Sequence, residues 1–128
     1  MKLILIFLFL LSFSIFANAK TISSTKVGGE WNNPKTWVKG IVPTENDNAI
    51  IKGKVVIKQA DTVHKITIQK KAKLVVDNTE KTSFLVETIV KISGKLQIID
   101  VGHLRIWEDI KKTKTGEIDN RAVIEVGK

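Results

Sequence analysis

The stretch Lys52-Gly53-Lys54-Val55-Val56-Ile57 decides the fold, because the chain repeats it. Lys71-Ala72-Lys73-Leu74-Val75-Val76, Ser93-Gly94-Lys95-Leu96-Gln97-Ile98 and Thr115-Gly116-Glu117-Ile118 follow the same order: a small residue, a charged one, then an aliphatic one. The small residues stand at 53, 72, 94 and 116, so the spacings are 19, 22 and 22 residues. Between these units lie shorter alternating runs, Ile66-Thr67-Ile68, Ile89-Val90-Lys91-Ile92, Leu104-Arg105-Ile106 and Val123-Ile124-Glu125-Val126. Alternation rich in β-branched residues reads as strand. A period near 22 with two or three short strands each is the length of one coil of a parallel β-helix. One coil cannot bury its own apolar face, so several must stack and align their aliphatic residues in interior columns. The reading is an all-β chain folded as a short right-handed parallel β-helix of about four coils. Gly53, Gly94 and Gly116 are expected turn positions, where glycine adopts φ > 0 without a Cβ penalty. Ala72 breaks that pattern and predicts a different turn. An antiparallel β-sandwich also has short strands at regular spacing and is the alternative, although no Asn-Gly or Asp-Gly hairpin turn occurs.

The segment before the repeats differs in character. Residues 20–48 hold both prolines and two of the three tryptophans, and they predict a Trp-rich cap preceding coils over 49–128 within one domain. Its pattern is Gly29-x-Trp31-Asn32-x-Pro34, then Thr36-Trp37, Gly40, Val42-Pro43, Asp47 and a strand with Ile51, Gly53 and Val55. This resembles the opening of β-helical modules in bacterial surface and secreted proteins, and it is similar to the start of the glycine-rich G-eight extracellular domain. The resemblance covers about a quarter of the chain after residue 19. It implies architecture, since such modules occur in adhesins and in polysaccharide-active enzymes alike. Trp31 and Trp37 have two readings. They cover the open end of the first coil, or they stack on sugar rings. Pro43 and Asp47 are expected in turns, Asp47 through a side-chain-to-backbone hydrogen bond.

The first 19 residues read as an export signal. Lys2 is a basic start, Leu3 to Leu11 form an apolar run, and Ala17-Asn18-Ala19 is a small-x-small cleavage site. The run is short of the about 20 apolar residues that span a bilayer, and no cysteine stands at the junction to take a lipid. Cleavage after Ala19 leaves 109 residues, 128 less 19, and lowers the formal charge from +8 to +7 with the loss of Lys2. The expected location is a bacterial periplasm, cell surface or medium. Without a cysteine, rigidity must come from the core and the hydrogen-bond ladders.

Most lysines occupy alternate positions in strand-like runs, among them Lys54, Lys58, Lys65, Lys73, Lys91 and Lys95. Outward lysines keep sheet edges soluble, and that is the plain reading of the basic excess. If the charge is used, acidic polysaccharide or an anionic surface fits an exported protein better than nucleic acid does. The candidate ligand-binding residues are Trp31, Trp37, Trp107, Arg105, Lys73 and Lys95.

His64 and His103 are isolated, the serines carry no nucleophile motif, and no cofactor or metal is expected. Asp77 and Asp100 follow two of the repeat units at nearly the same phase, with Arg105 near, and form the one enzyme-like constellation. Three functions follow in order: a non-catalytic binding or surface-attachment module, an assembly module pairing through its C-terminal coil, and a small carbohydrate-active enzyme.

Overall fold

The computed structural model describes residues 20–78, 82–99, 102–120 and 123–127. The expected export signal and Asp100 lie outside the described residues. Three sheets are wound from short strands. The first holds β1 (Thr21–Ser23), β3 (Asn48–Ile51), β6 (Lys65–Ile68), β9 (Ile89–Ile92) and β12 (Asp109–Lys112), in that spatial order. The second holds β2 (Gly28–Glu30), β4 (Lys54–Ile57), β7 (Lys73–Val76), β10 (Lys95–Ile98) and β13 (Glu117–Asn120). The third holds β5 (Asp61–Val63), β8 (Phe84–Val86), β11 (His103–Ile106) and β14 (Val123–Val126). The chain visits the sheets in rotation and every strand pairs in parallel with its equivalents one coil away. This is a β-solenoid of about four turns. Its all-parallel pairing excludes the antiparallel sandwich.

The period-two alternation builds the core. In the second sheet Val55, Leu74 and Leu96 are register partners, as are Ile57, Val76 and Ile98. In the first sheet Ile51, Ile68 and Ile92 form another column. All nine are at most 1 % exposed. They join one hydrophobic cluster with Phe84, Val86, Leu104 and Ile106 of the third sheet. Three walls share one interior, so no coil has an apolar face of its own to leave in water.

The corner between the first and second sheets alternates in length. Four residues join β1 to β2, two join β3 to β4, four join β6 to β7, two join β9 to β10, and four join β12 to β13. The glycines at this corner serve a purpose other than the expected one. Gly53, Gly94 and Gly116 are not among the positive-φ residues. A Cβ on Gly53 would lie 2.3 Å from the Lys26 carbonyl oxygen, one on Gly94 2.2 Å from that of Ala72, and one on Gly116 2.2 Å from that of Ile92. Close stacking on the preceding coil, not turn conformation, excludes a side chain there. At Ala72 the turn is one of the longer ones, and Lys71 takes the left-handed conformation with φ 70°.

The cap segment is partly a coil. Its β1 and β2 lie on the first and second sheets, and two 3₁₀ turns, Pro34–Thr36 and Val38–Gly40, follow β2 and fold back beside it, the Thr25 N–H donating to the Thr36 carbonyl at 2.8 Å and Trp37 bridging Ser24 in antiparallel fashion. Asn33 caps the first turn, its Oδ1 accepting from the Lys35 N–H at 3.0 Å. The Trp31 N–H donates to the Val56 carbonyl at 2.8 Å and prolongs the β2–β4 ladder. Trp31 then packs edge-on against Trp37, with ring centroids 4.9 Å apart, and against Phe84 at 4.8 Å. The Trp37 indole N–H donates to the Trp31 carbonyl at 2.7 Å.

Two of the interior columns turn polar in the fourth coil, while others continue with Ile110, Ile118 and Ile124. Lys112 is the register partner of Ile92, and Asn120 that of Ile98. The fourth coil therefore does not present a continuous apolar end. Polar terminal repeats and inward-pointing charges limit edge-to-edge pairing in solenoids and sheets.

Candidate functional site

The sequence candidates fall into separate groups. Trp31 and Trp37 are 1 % and 2 % exposed. Their rings offer no face to a sugar, because the fold uses them to close the first coil. Trp107 is 44 % exposed beside β11, on the side of the molecule away from the second sheet. Arg105 faces outward on the third sheet, with its Nε 3.0 Å from Glu125 Oε2. His103 Nε2 approaches the other oxygen of Glu125 at 3.1 Å, and His64 Nδ1 lies 3.5 Å from Glu87. On the third sheet and its turns, Glu87 and Glu125 thus have an imidazole or guanidinium group close by.

Lys73 and Lys95 are brought together. Both are register partners in the second sheet, and Lys54 continues the same column one coil earlier. Three ammonium-bearing side chains therefore leave one face at successive rungs, about 4.8 Å apart. The column begins at Gly28, which has no side chain, and ends at Glu117. Lys95 Nζ lies 3.2 Å from Glu117 Oε1. Among the described residues, Lys54 and Lys73 have no ion-pair partner.

The expectation that these lysines protect sheet edges meets a correction here. Strands β4, β7 and β10 are interior strands of the second sheet, hydrogen-bonded on both sides. They have no edge to protect. Like charges directly opposite on neighbouring strands are instead destabilising. The repulsion is roughly 1 kcal/mol for unit charges 4 Å apart in water.

The adjoining corner adds more positive charge. The longer turns carry Lys26, then Lys70 and Lys71, then Lys114, and all four side chains are exposed. On the first sheet Lys91 and Lys111 are register partners and also exposed. Lysine is thereby concentrated along one edge of the solenoid, where the first and second sheets meet. Sequence reading missed this edge as a unit. Lys54, Lys73, Lys95 and Glu117 already share one phase of the repeat, and that shared phase is the signal that locates the column.

Other candidates serve structure. Asp47 Oδ2 accepts from the Thr44 N–H at 2.9 Å and from the Thr44 hydroxyl at 2.8 Å, forming a side-chain-to-backbone turn. Burial works against its charge, but the Thr44 donors and the Lys20 amide and ammonium outweigh that and hold its carboxyl below the usual range. Asp77 is exposed, and since Val76 pairs with Ile98 it falls level with Ile99. Asn78, not foreseen from sequence, is buried; its Oδ1 accepts from the His103 N–H at 2.6 Å and its Nδ2 donates to the His103 carbonyl at 3.1 Å. Pro43 lines an open cleft of about 640 Å³ with Thr44, Glu45, Asp61, Thr62 and Ser83, remote in the fold from the lysine column. Among the described residues no group of three His, Cys, Asp or Glu could hold a metal ion, and no helix is long and apolar enough to cross a membrane. Comparison with protein-family models, with curated proteins and with solved structures gave no match.

Proposed function

We propose that this chain is an exported, non-catalytic β-solenoid module that attaches to an anionic glycan or an anionic surface through its lysine edge. The observation that carries this reading is the in-register column Lys54, Lys73 and Lys95 on interior strands, two of its members lacking an ion-pair partner among the described residues. Unpaired like charge held in register runs against local stability, and such conflicts concentrate where a surface is used. The rigid ladder beneath fixes the lysine positions, so binding orders only the side chains themselves. Export rests on residues 1–19, and it brings the basic edge to cell-surface and extracellular polyanions rather than to nucleic acid.

The test is calorimetric titration of the purified protein with acidic polysaccharides at low and at moderate salt. Binding that weakens steadily as salt rises is the expected result. Absence of binding at millimolar ligand and low salt refutes the reading.

A further inference from the structure

We infer that the ligand is a linear glycan bearing one carboxylate per sugar, and that it lies along the solenoid axis across Lys54, Lys73 and Lys95. This rests on the reading of the same edge as a polyanion site and adds the ligand's direction, repeat and footprint. Direction follows from the column. Its members belong to successive coils, so the line joining them runs along the stacking axis and across the strands. A polymer following it takes one contact per coil.

The repeat follows from the rung spacing. Neighbouring strands lie about 4.7–4.9 Å apart. A pyranose ring advances a polymer chain by about one such rung, and although neighbouring sugars are turned about the chain axis, the long flexible lysine stems reach carboxylates on either flank, so a polyuronate offers one carboxylate per lysine. Phosphates of one strand of duplex nucleic acid recur at about 3.4 Å along the helix axis while winding around it, so only a short arc of them faces a straight column of lysines. A membrane offers a plane of headgroups without a repeat, and would engage every lysine of the edge alike.

The footprint follows from the ends of the column. At one end stands Gly28, without a side chain. At the other stands Glu117, whose carboxylate pairs with Lys95 and repels a fourth acidic sugar. Three successive uronates fill the track. Lys70 and Lys71, in the turn leading into β7, add positive charge beside the middle position.

The experiment titrates the purified protein with oligouronates from dimer to hexamer. Single-stranded DNA of matched charge and vesicles of phosphatidylglycerol and phosphatidylcholine are the comparisons. Affinity should rise about threefold from dimer to trimer, as expected for one further exposed ion pair, and change by less than about twofold from tetramer to hexamer. Lys73→Gln should weaken trimer binding about fivefold, and Lys91→Gln, on the first sheet, less than about twofold. Both side chains reach solvent, and thermal melting verifies that both variants fold.

Affinity that climbs steadily through the hexamer, with Lys73→Gln and Lys91→Gln equal in effect, overturns the track while leaving a diffuse polyanion edge. Equal affinity for DNA or vesicles overturns it in the same way. Absence of binding to every polyanion at low salt overturns both this inference and the function it rests on.

Discussion

Replacement of Gly94 by alanine separates two explanations of the corner glycines by the sign of the effect. Gly94 lies outside the positive-φ region. If it served only as a flexible turn residue, alanine would stabilise the protein by about 0.4–1 kcal/mol by restricting the unfolded chain. The structure dictates the opposite. The new Cβ would meet the Ala72 carbonyl oxygen at 2.2 Å and that of Gln69 at 2.3 Å. Both are main-chain atoms already engaged. Ala72 O accepts from the Lys95 N–H at 2.9 Å, and Gln69 O accepts from the Ala72 N–H at 2.9 Å. Relief of the overlap must stretch the joint between the second and third coils. Overpacking of this kind costs about 1–3 kcal/mol. A central value of about 2 kcal/mol lowers Tm by about 8–16 °C in a domain near 100 residues. Gly40→Ala is the internal comparison. Gly40 has φ +68°, and a Cβ there would meet nothing within 4 Å, so only the left-handed backbone is penalised, by about 1–2 kcal/mol. Urea and thermal unfolding followed by far-UV circular dichroism measure all three proteins. An unchanged or raised stability of Gly94→Ala refutes the close-stacking account.

Acid should weaken the protein through Asp47. Its folded-state carboxyl is held below the ordinary value of 3.8, so its contribution is present above that pH and is lost as pH falls through the depressed folded value; urea midpoints from pH 7 down to pH 3 should show an acid limb that is shallower in Asp47→Asn. Trp31→Ala should cost about 3–5 kcal/mol by opening the cap, whereas exposed Trp107→Ala should stay within about 0.5 kcal/mol, both read from chemical denaturation. Lys112→Ile would extend the Ile51, Ile68 and Ile92 column to the face of the fourth coil, and light scattering should then detect concentration-dependent self-association that the parent protein shows less.

The solenoid was legible because one local pattern, small then charged then aliphatic, recurs with each coil. The interior columns follow from it directly, since Val55, Leu74 and Leu96 stand at one phase of the repeat and also in one register. The lysine column was legible in the same way, but its meaning was not. Whether Lys73 lies on an edge or an interior strand depends on which strands flank β7, and alternation alone is silent about that. Trp31 and Trp37 carried two readings because an aromatic residue looks the same in sequence whether its ring closes a core or faces water. Arg105 and Trp107 stand apart from the lysines for a geometric reason: Arg105 is on the third sheet and Trp107 in the turn after it, and sequence proximity to Lys95 does not carry across a corner. The role of the corner glycines was hidden because a carbonyl one coil away is invisible to local turn rules. Asn78 escaped notice for the same cause, as its partner His103 is 25 residues distant.

The aromatic closure of Trp31, Trp37 and Phe84 also sets how the molecule comes apart. Strand pairing joins each coil only to its neighbours, and the Trp31–Phe84 contact reaches from the cap past the first coil to the second, so opening proceeds coil by coil from the far end rather than all at once. The first coil is clamped by buried rings, while Ile118 in the fourth is 37 % exposed and Lys112 and Asn120 replace apolar neighbours in their columns. Amide exchange should therefore be fastest at β12–β14 and slow progressively toward β4. A polymer spanning Lys54, Lys73 and Lys95 would rivet three consecutive coils from outside, and protection gained on binding would be concentrated in the joints β4–β7 and β7–β10. The solenoid would then behave under load as a rod with one frayed end and a laced side.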